Sequence, residues 1–173
     1  MNKSPKQKEK KDKDSGFYVF AIVCALIVIF FTVFARQIGA FPVVAGKSMY
    51  PTLDNGDLLY MSVSHHKDIS EIERGDIVVI EKEDGSMIIK RVIGLPNEVI
   101  QMTNNKVYIN GVDIADEYNF SNGGVAEIPI QLGEDEFFVC GDNRDNSADS
   151  RMDGAYTYDQ IKGIVLKVLI DHK

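Results

Sequence analysis

At 173 residues the chain has room for one domain of ordinary size plus an appendage, and a hydrophobic fraction of 45% is enough to build a core. The net charge of -7 is unevenly spread: residues 1–36 hold seven Lys and Arg against three acids, a balance of +4, while residues 37–173 hold twelve against twenty-three, or -11. A multidomain machine is excluded, and an acidic folded part with no clustered basic face offers no footprint to a phosphate backbone, so no nucleic-acid partner is expected.

The first fourteen residues carry six lysines and no apolar periodicity, so a disordered cytoplasmic tail is expected over residues 1–15. From Gly16 to Ala35 there are twenty residues without a charge. At about 1.5 Å per residue a helix over this run spans about 30 Å, the thickness of a bilayer's hydrocarbon core, which predicts a transmembrane anchor over 16–35. Lysines precede the run and Arg36 follows it, so the positive-inside rule puts the N-terminus in the cytoplasm and residues 37–173 outside the membrane. The competing reading is a cleavable signal peptide ending near Val33-Phe34-Ala35. The apolar core of such a peptide is about 7–15 residues, shorter than this run, which favours an anchor.

Beyond Arg36 come short apolar runs bounded by turn dipeptides: residues 57–63, 76–82, 86–95, 106–112, 126–132, 136–142 and 163–170. These read as strands. Asn55-Gly56, Asp84-Gly85, Asn110-Gly111 and Asn122-Gly123-Gly124 supply the turn positions between them. Helical periodicity is weak apart from one short turn near Tyr158 to Lys162. The expected fold is therefore all-β, mostly antiparallel, behind one N-terminal helix.

Two cysteines, one of them (Cys24) inside the apolar run, give no disulfide framework. There is no Cys-x-x-Cys motif, and His65 and His66 are adjacent rather than three or four apart, so no metal and no cofactor is expected. Cys140 sits among apolar neighbours and reads as a small buried residue rather than a reactive thiol.

Three segments could carry chemistry. Ser48 lies between Gly46-Lys47 and Pro51, a corner able to hold a hydroxyl in the open; taken alone, a polar loop serine that merely satisfies a turn is the commoner case, so Ser48 needs a partner. A serine hydroxyl must lose its proton to a neighbouring base as it attacks. His65 and His66 fall in a polar stretch and His172 lies one residue from the end, which leaves a desolvated lysine as the alternative base. Strand alternation in residues 87–93 puts Ile88, Lys90 and Val92 on one face and Met87, Ile89, Arg91 and Ile93 on the other. Lys90 thus has apolar neighbours, and it either stays buried or snorkels its ammonium to water. Residues 141–151 (GDNRDNSADSR) are dense in turn formers and charges, with Asp149 able to pair with Arg91 or Arg151 and Ser147 able to hydrogen-bond a lysine amine.

Taken together, GKSMYPTL (46–53), IKRVIGLP (89–96) and GDNRDNSADSR (141–151), with Gly75-Asp76-Ile77-Val78-Val79 and an anchor in front, resemble the signature boxes of the bacterial type I signal peptidases. The resemblance runs from the anchor to about Arg151, and its compact, single-anchor form is similar to Gram-positive members. It implies the all-β signal peptidase fold, with a small insertion over about 106–135 and an extracytoplasmic catalytic domain over 37–173. It implies Ser48 as nucleophile, Lys90 as general base and Ser147 as the hydroxyl orienting the lysine. Arg91, Asp149 and Arg151 are implied as a salt-bridge cluster behind Lys90, with Gly141, Asp142 and Asn143 holding the loop's shape. Met49 matches the residue after the nucleophile. Some family members have a side-chain hydroxyl two residues before the nucleophile; Gly46 stands there in this chain. Residues 43–46 and 86–89 correspond to strands that take the substrate as an added strand. The implied partners are secretory preproteins whose signal peptides end in small residues at the first and third positions before the cut, the lipid bilayer, and the vicinity of the Sec translocon. The rival reading is a non-catalytic relative that assists assembly of surface pilins. A self-cleaving repressor shares the Ser/Lys chemistry but carries a soluble DNA-binding domain where this chain has an apolar run.

Overall fold

The computed structural model describes residues 17–30, 39–63 and 68–171. The chain divides into two units, residues 1–38 and 39–173. In the first, residues 17–30 are helical and their side chains are exposed. The rest of the expected span, the basic tail and the cleavage candidate at Ala35 lie outside the described residues, as do His65, His66 and His172. Among the described residues no helix is long and apolar enough to cross a membrane.

The second unit is built from antiparallel strands: β1 (Leu58–Val63), β2 (Ile77–Glu81), β3 (Met87–Gly94), β4 (Val99–Thr103), β5 (Lys106–Ile109), β6 (Val112–Asp113), β7 (Ile130–Gln131), β8 (Glu136–Cys140), β9 (Tyr156–Thr157) and β10 (Ile161–Ile170). They form a six-stranded sheet ordered β1-β10-β2-β3-β8-β9 and a four-stranded sheet ordered β6-β5-β4-β7. The β2–β3 hairpin is set by residues 82–86, where the Asp84 side chain accepts from the Ser86 N–H at 2.9 Å and Lys82 N–H donates to the Ser86 carbonyl at 2.8 Å. That turn brings Val78 opposite Lys90 and Ile77 opposite Arg91. Since a one-residue slip would turn every side chain to the opposite face, the hairpin decides which way Lys90 points.

Several expected strands differ in detail. The run 106–112 folds into two strands, β5 and β6, because Asn110-Gly111 makes the hairpin between them, both residues having positive φ. In 126–132 only Ile130–Gln131 pairs; Gly124–Glu127 is a 3-10 turn and Pro129, which has no N–H to give a ladder, stands just before the strand. Two strands went unread. β4 does alternate, with Ile100 and Met102 buried between half-buried neighbours, and β9 is only two residues long. The turn expected near 158–162 is a 3-10 turn over Tyr158–Gln160.

Three apolar clusters fill the unit. Val78, Ile80, Val92, Phe137, Val139 and Ile161 pack on one face of the large sheet. Val44, Met49, Leu53 and Leu59 pack with Ile77 and Ile89, clamping the 44–53 segment to the sheet. Ile93, Phe138 and Cys140 pack with Ile100, Met102, Val107 and Leu132, which joins the small sheet to β3 and β8. Phe138 is fully buried at that junction. Phe138→Ala is expected to cost about 3–5 kcal/mol of stability, read as a lowered denaturant midpoint at unchanged slope.

Candidate active site

The segment leading to Ser48 is laid along β1 before it turns. Leu59 N–H donates to the Pro42 carbonyl at 2.9 Å, and Val44 N–H to the Asp57 carbonyl at 2.9 Å. At Gly46 the chain takes φ +98°, a conformation that suits glycine, and its N–H donates to Asn55 Oδ1 at 3.0 Å. The turn then runs through Ser48 and Met49 to a cis Tyr50–Pro51 bond. Met49 is buried and pulls the turn down onto the Val44–Leu53–Leu59 cluster, leaving its neighbour Ser48 half-buried on the other side.

Lys90 comes from the middle of β3. Its side chain is 3% exposed, so it is buried rather than snorkelled. Its flanking residues Ile88 and Val92 pack in the Val78–Phe137 cluster while Ile89 packs with Met49, as strand alternation requires. Lys90 Nζ lies 2.7 Å from Ser48 Oγ in a hydrogen bond. Burial, the largest influence, pushes the Lys90 amine below its ordinary value, and the nearby Asp149 charge only partly opposes it. An amine so placed reaches its neutral form at lower pH than a solvated lysine, and the neutral amine can accept the serine proton.

The 141–151 loop locks these two pieces together. Asn143 donates from its backbone N–H to the Ser48 carbonyl at 3.0 Å and from Nδ2 to the Lys47 carbonyl at 3.1 Å, so it grips both sides of the nucleophile's peptide. Gly141 is wedged so tightly that a Cβ there would meet the Ser147 side chain and the Ser48 carbonyl. Asp149 accepts from Gly141 N–H at 2.9 Å and takes Arg151 in two bonds of 2.9 Å each. Burial alone would push the Asp149 carboxyl up; the bonds from Arg151 and the Gly141 N–H outweigh it and hold the group below the ordinary carboxylate range. Arg151 in turn donates to the Arg144 and Asn122 carbonyls, which ties the start of the loop to its end.

Two expected contacts are not made. Arg91 does not join Asp149 and Arg151. Alternation turns it to the face of β3 opposite Lys90, where it forms a bidentate pair with Asp142 at 2.8 and 2.6 Å and donates to the Gly75 carbonyl at 2.7 Å. Ser147 Oγ is buried beside Gly141 and near the Asp149 carboxyl, which it helps to hold low, and among the described residues it makes no bond to Lys90. Cys140 is buried, and burial pushes its thiol up to about 12, which makes it a packing residue.

Some supporting residues gave no signal in the sequence. Asn55, which caps the Gly46 N–H, looked like part of a hairpin turn. Thr52, whose hydroxyl donates to Asp142, stands in a segment quoted only for its serine. Tyr118 and Asp116 lie in a polar stretch without periodicity, and only the fold brings them to Arg91 and Arg144.

Beside Ser48 and Lys90 is a cleft of roughly 140 Å³ lined by Pro42, Val43, Ala45 and Val79 and by Met87 to Ile89. Its walls are two lengths of backbone with open edges. β8 pairs with β3 only from Arg91 onward, so Met87 to Lys90 have β2 on one side and no strand on the other. Val92 exchanges bonds with Gly75 and Asp76 on the β2 side, so by alternation the N–H and C=O groups of Met87 and Ile89 point to the open edge. Among the described residues no cluster of three or more His, Cys, Asp or Glu side chains could hold a metal.

Residues 16–170 match the family described as signal peptidase, peptidase S26. A signal peptidase I of Bacillus amyloliquefaciens is 35% identical over 168 residues, covering 91% of this chain and 90% of that one. Signal peptidase I S of Bacillus subtilis (strain 168) is 38% identical over 157 residues, covering 84% and 81%. Among solved structures, a signal peptidase I from Enterococcus faecalis V583 is 29% identical with a TM-score of 0.48, covering 55% of this chain and 97% of that chain.

The Asp149–Arg151 pair sets a stability prediction. Asp149→Ala leaves a buried guanidinium without its carboxylate and is expected to cost about 3–5 kcal/mol near neutral pH. The folded Asp149 pKa is below 3.8, so its contribution is fully present above that value and is lost as pH falls through the folded pKa. Denaturant unfolding of both proteins should show a gap that narrows only in that acid range.

Proposed function

The chain belongs to the signal peptidase family, peptidase S26, and we propose that it is a membrane-bound serine endopeptidase in which Ser48 is the nucleophile and Lys90 the general base. Removal of signal peptides from secretory preproteins is the reaction the site has to perform. The observation that carries the assignment is the 2.7 Å hydrogen bond between Ser48 Oγ and a desolvated Lys90 Nζ.

In this reading the neutral Lys90 amine takes the Ser48 proton as Oγ attacks the scissile carbonyl. The Ser48 N–H, which has no acceptor among the described residues, faces the developing oxyanion. Collapse of the tetrahedral adduct breaks the C–N bond, and the ammonium of Lys90 returns the proton to the departing amine. Water then attacks the acyl-serine with Lys90 again as base, which releases the signal peptide's new carboxylate and restores the hydroxyl. Ser147 is assigned to orient the amine once its side chain rotates toward Lys90, and Asp149 with Arg151 keeps the loop behind it in place. Gly46 puts no side-chain hydroxyl at the oxyanion, so the backbone carries that role.

The substrate is taken as an added strand between residues 43–46 and 86–89. The open backbone edge of Met87 and Ile89 supplies hydrogen bonds, and the small, largely apolar cleft limits which side chains fit, favouring small residues before the cut. We further assign residues 16–35 as a membrane anchor, with residues 1–15 in the cytoplasm and residues 37–173 outside, near the Sec translocon. The uncharged run of twenty residues and its basic flank support that topology.

Two measurements test the assignment. With a preprotein carrying an Ala-x-Ala site, the detergent-purified protein is expected to cut after the second alanine, and Ser48→Ala and Lys90→Met to lose about 10²–10⁴-fold or more. An inert wild type on several preproteins, or variants that still cut, would move a non-catalytic assembly role to the front. The second is pH. Because the base must be neutral and its pKa lies below 10.5, kcat/KM should rise with pH through that lowered value; a flat profile would remove Lys90 from the role.

A further inference from the structure

The steps above use no residue from the segments around the small sheet, yet one side chain from there touches every part that holds the site. Tyr118 follows β6, and its hydroxyl lies 3.2 Å from Thr52 Oγ1 in the nucleophile's turn and 3.3 Å from Arg91 Nη2, the residue after Lys90 on β3. The Arg91 and Arg144 guanidinium carbons stand 5.6 and 5.2 Å from its ring centroid, and Arg144 belongs to the 141–151 loop. Turn, strand and loop, the three pieces that build the site, thus meet on one phenol.

Its placement is enforced on both sides. Asp116 takes the Arg144 guanidinium in two bonds. Asp145 accepts from the Ser121 N–H at 2.9 Å and from its hydroxyl at 2.8 Å. Asn105 accepts from Phe120 N–H at 2.7 Å and donates to Asn119 at 2.7 Å, with Phe120 buried in the core. These bonds fix the chain on both sides of Tyr118, and the ring itself is held by Thr52, Arg91 and Arg144. Between two guanidinium groups it offers each an attractive π-surface while Asp142 and Asp116 take their charges.

We infer that Tyr118 is a positioning residue for Ser48. Its hydroxyl fixes Thr52, and with it the turn that sets Ser48 against Lys90, while its ring keeps Arg91 seated on Asp142. It touches no reacting atom and acts through Thr52 and Arg91. The inference rests on the Ser48/Lys90 reading above.

The test is a double-mutant cycle on the full-length protein in detergent, with Tyr118→Phe, Thr52→Val and the pair, and Ser48→Ala beside them, each measured for kcat and KM on the Ala-x-Ala preprotein and for melting temperature. Tyr118→Phe keeps the ring and should fold. It is expected to lower kcat about three- to tenfold, in the range one hydrogen bond supports, with KM changed less than about twofold. The double variant should lose little more than Thr52→Val alone, because the same bond is already gone. Unchanged kcat in Tyr118→Phe with only a lowered melting temperature, or losses that multiply in the double variant, would make Tyr118 a mere strut and overturn the inference. Should Ser48→Ala still cut, the nucleophile reading fails and takes this inference with it; an inert Ser48→Ala beside a normal Tyr118→Phe sinks the inference alone.

Discussion

A lysine amine held out of water beside a serine hydroxyl is the constraint around which this unit is organised. A charged ammonium in an apolar site is expensive, and the least costly response is to give up the proton. That response is useful only if the hydroxyl stands within hydrogen-bond distance and cannot drift. The sheet therefore has two tasks at Lys90: to bury it, which Ile88, Val92 and their cluster accomplish, and to leave one flank of its strand open for Ser48 and a substrate. β8 ends at Cys140, so β3 carries a core partner in its second half and a free edge in its first.

Charge is handled by separation. Asp149 is close enough to oppose the lowering of the Lys90 pKa, and an unpaired carboxylate there would favour the ammonium. Pairing with Arg151 in two bonds commits that charge elsewhere. The second ion pair, Arg91 with Asp142, lies on the opposite face of β3 and serves the nucleophile's turn through Thr52. Both pairs are buried or nearly so. Their value lies in geometry more than in net stability, since desolvation offsets much of a buried pair's attraction.

The 141–151 loop makes this arrangement cooperative. It bonds the carbonyls on both sides of Ser48's nitrogen through Asn143, packs Gly141 against the Ser48 carbonyl, and carries both Asp142 and Asp149. No element of this loop is a long helix or strand, so its shape rests on side-chain to backbone bonds, each of which needs the others in register.

Much of this was legible in residue order. Period-two runs and turn dipeptides announced an antiparallel β unit, and alternation in 87–93 correctly separated Lys90 from Arg91, because both depend on neighbours within a few positions. The expected Arg91–Asp149 pair is not formed, since Arg91 lies on the face of β3 away from Lys90 and takes Asp142. β9 was too short to announce itself. The partners of Asn55, Thr52 and Tyr118 were not legible, since a polar residue in a loop looks the same whether it faces solvent or a second loop 66 positions away. The sequence by itself determined the residue types, the strand periods and the family motifs. The tertiary structure alone decided which face meets which loop, that Arg91 belongs to Asp142, and that Ser48 lies against Lys90, because those contacts join segments 42 or more positions apart that only packing can bring together.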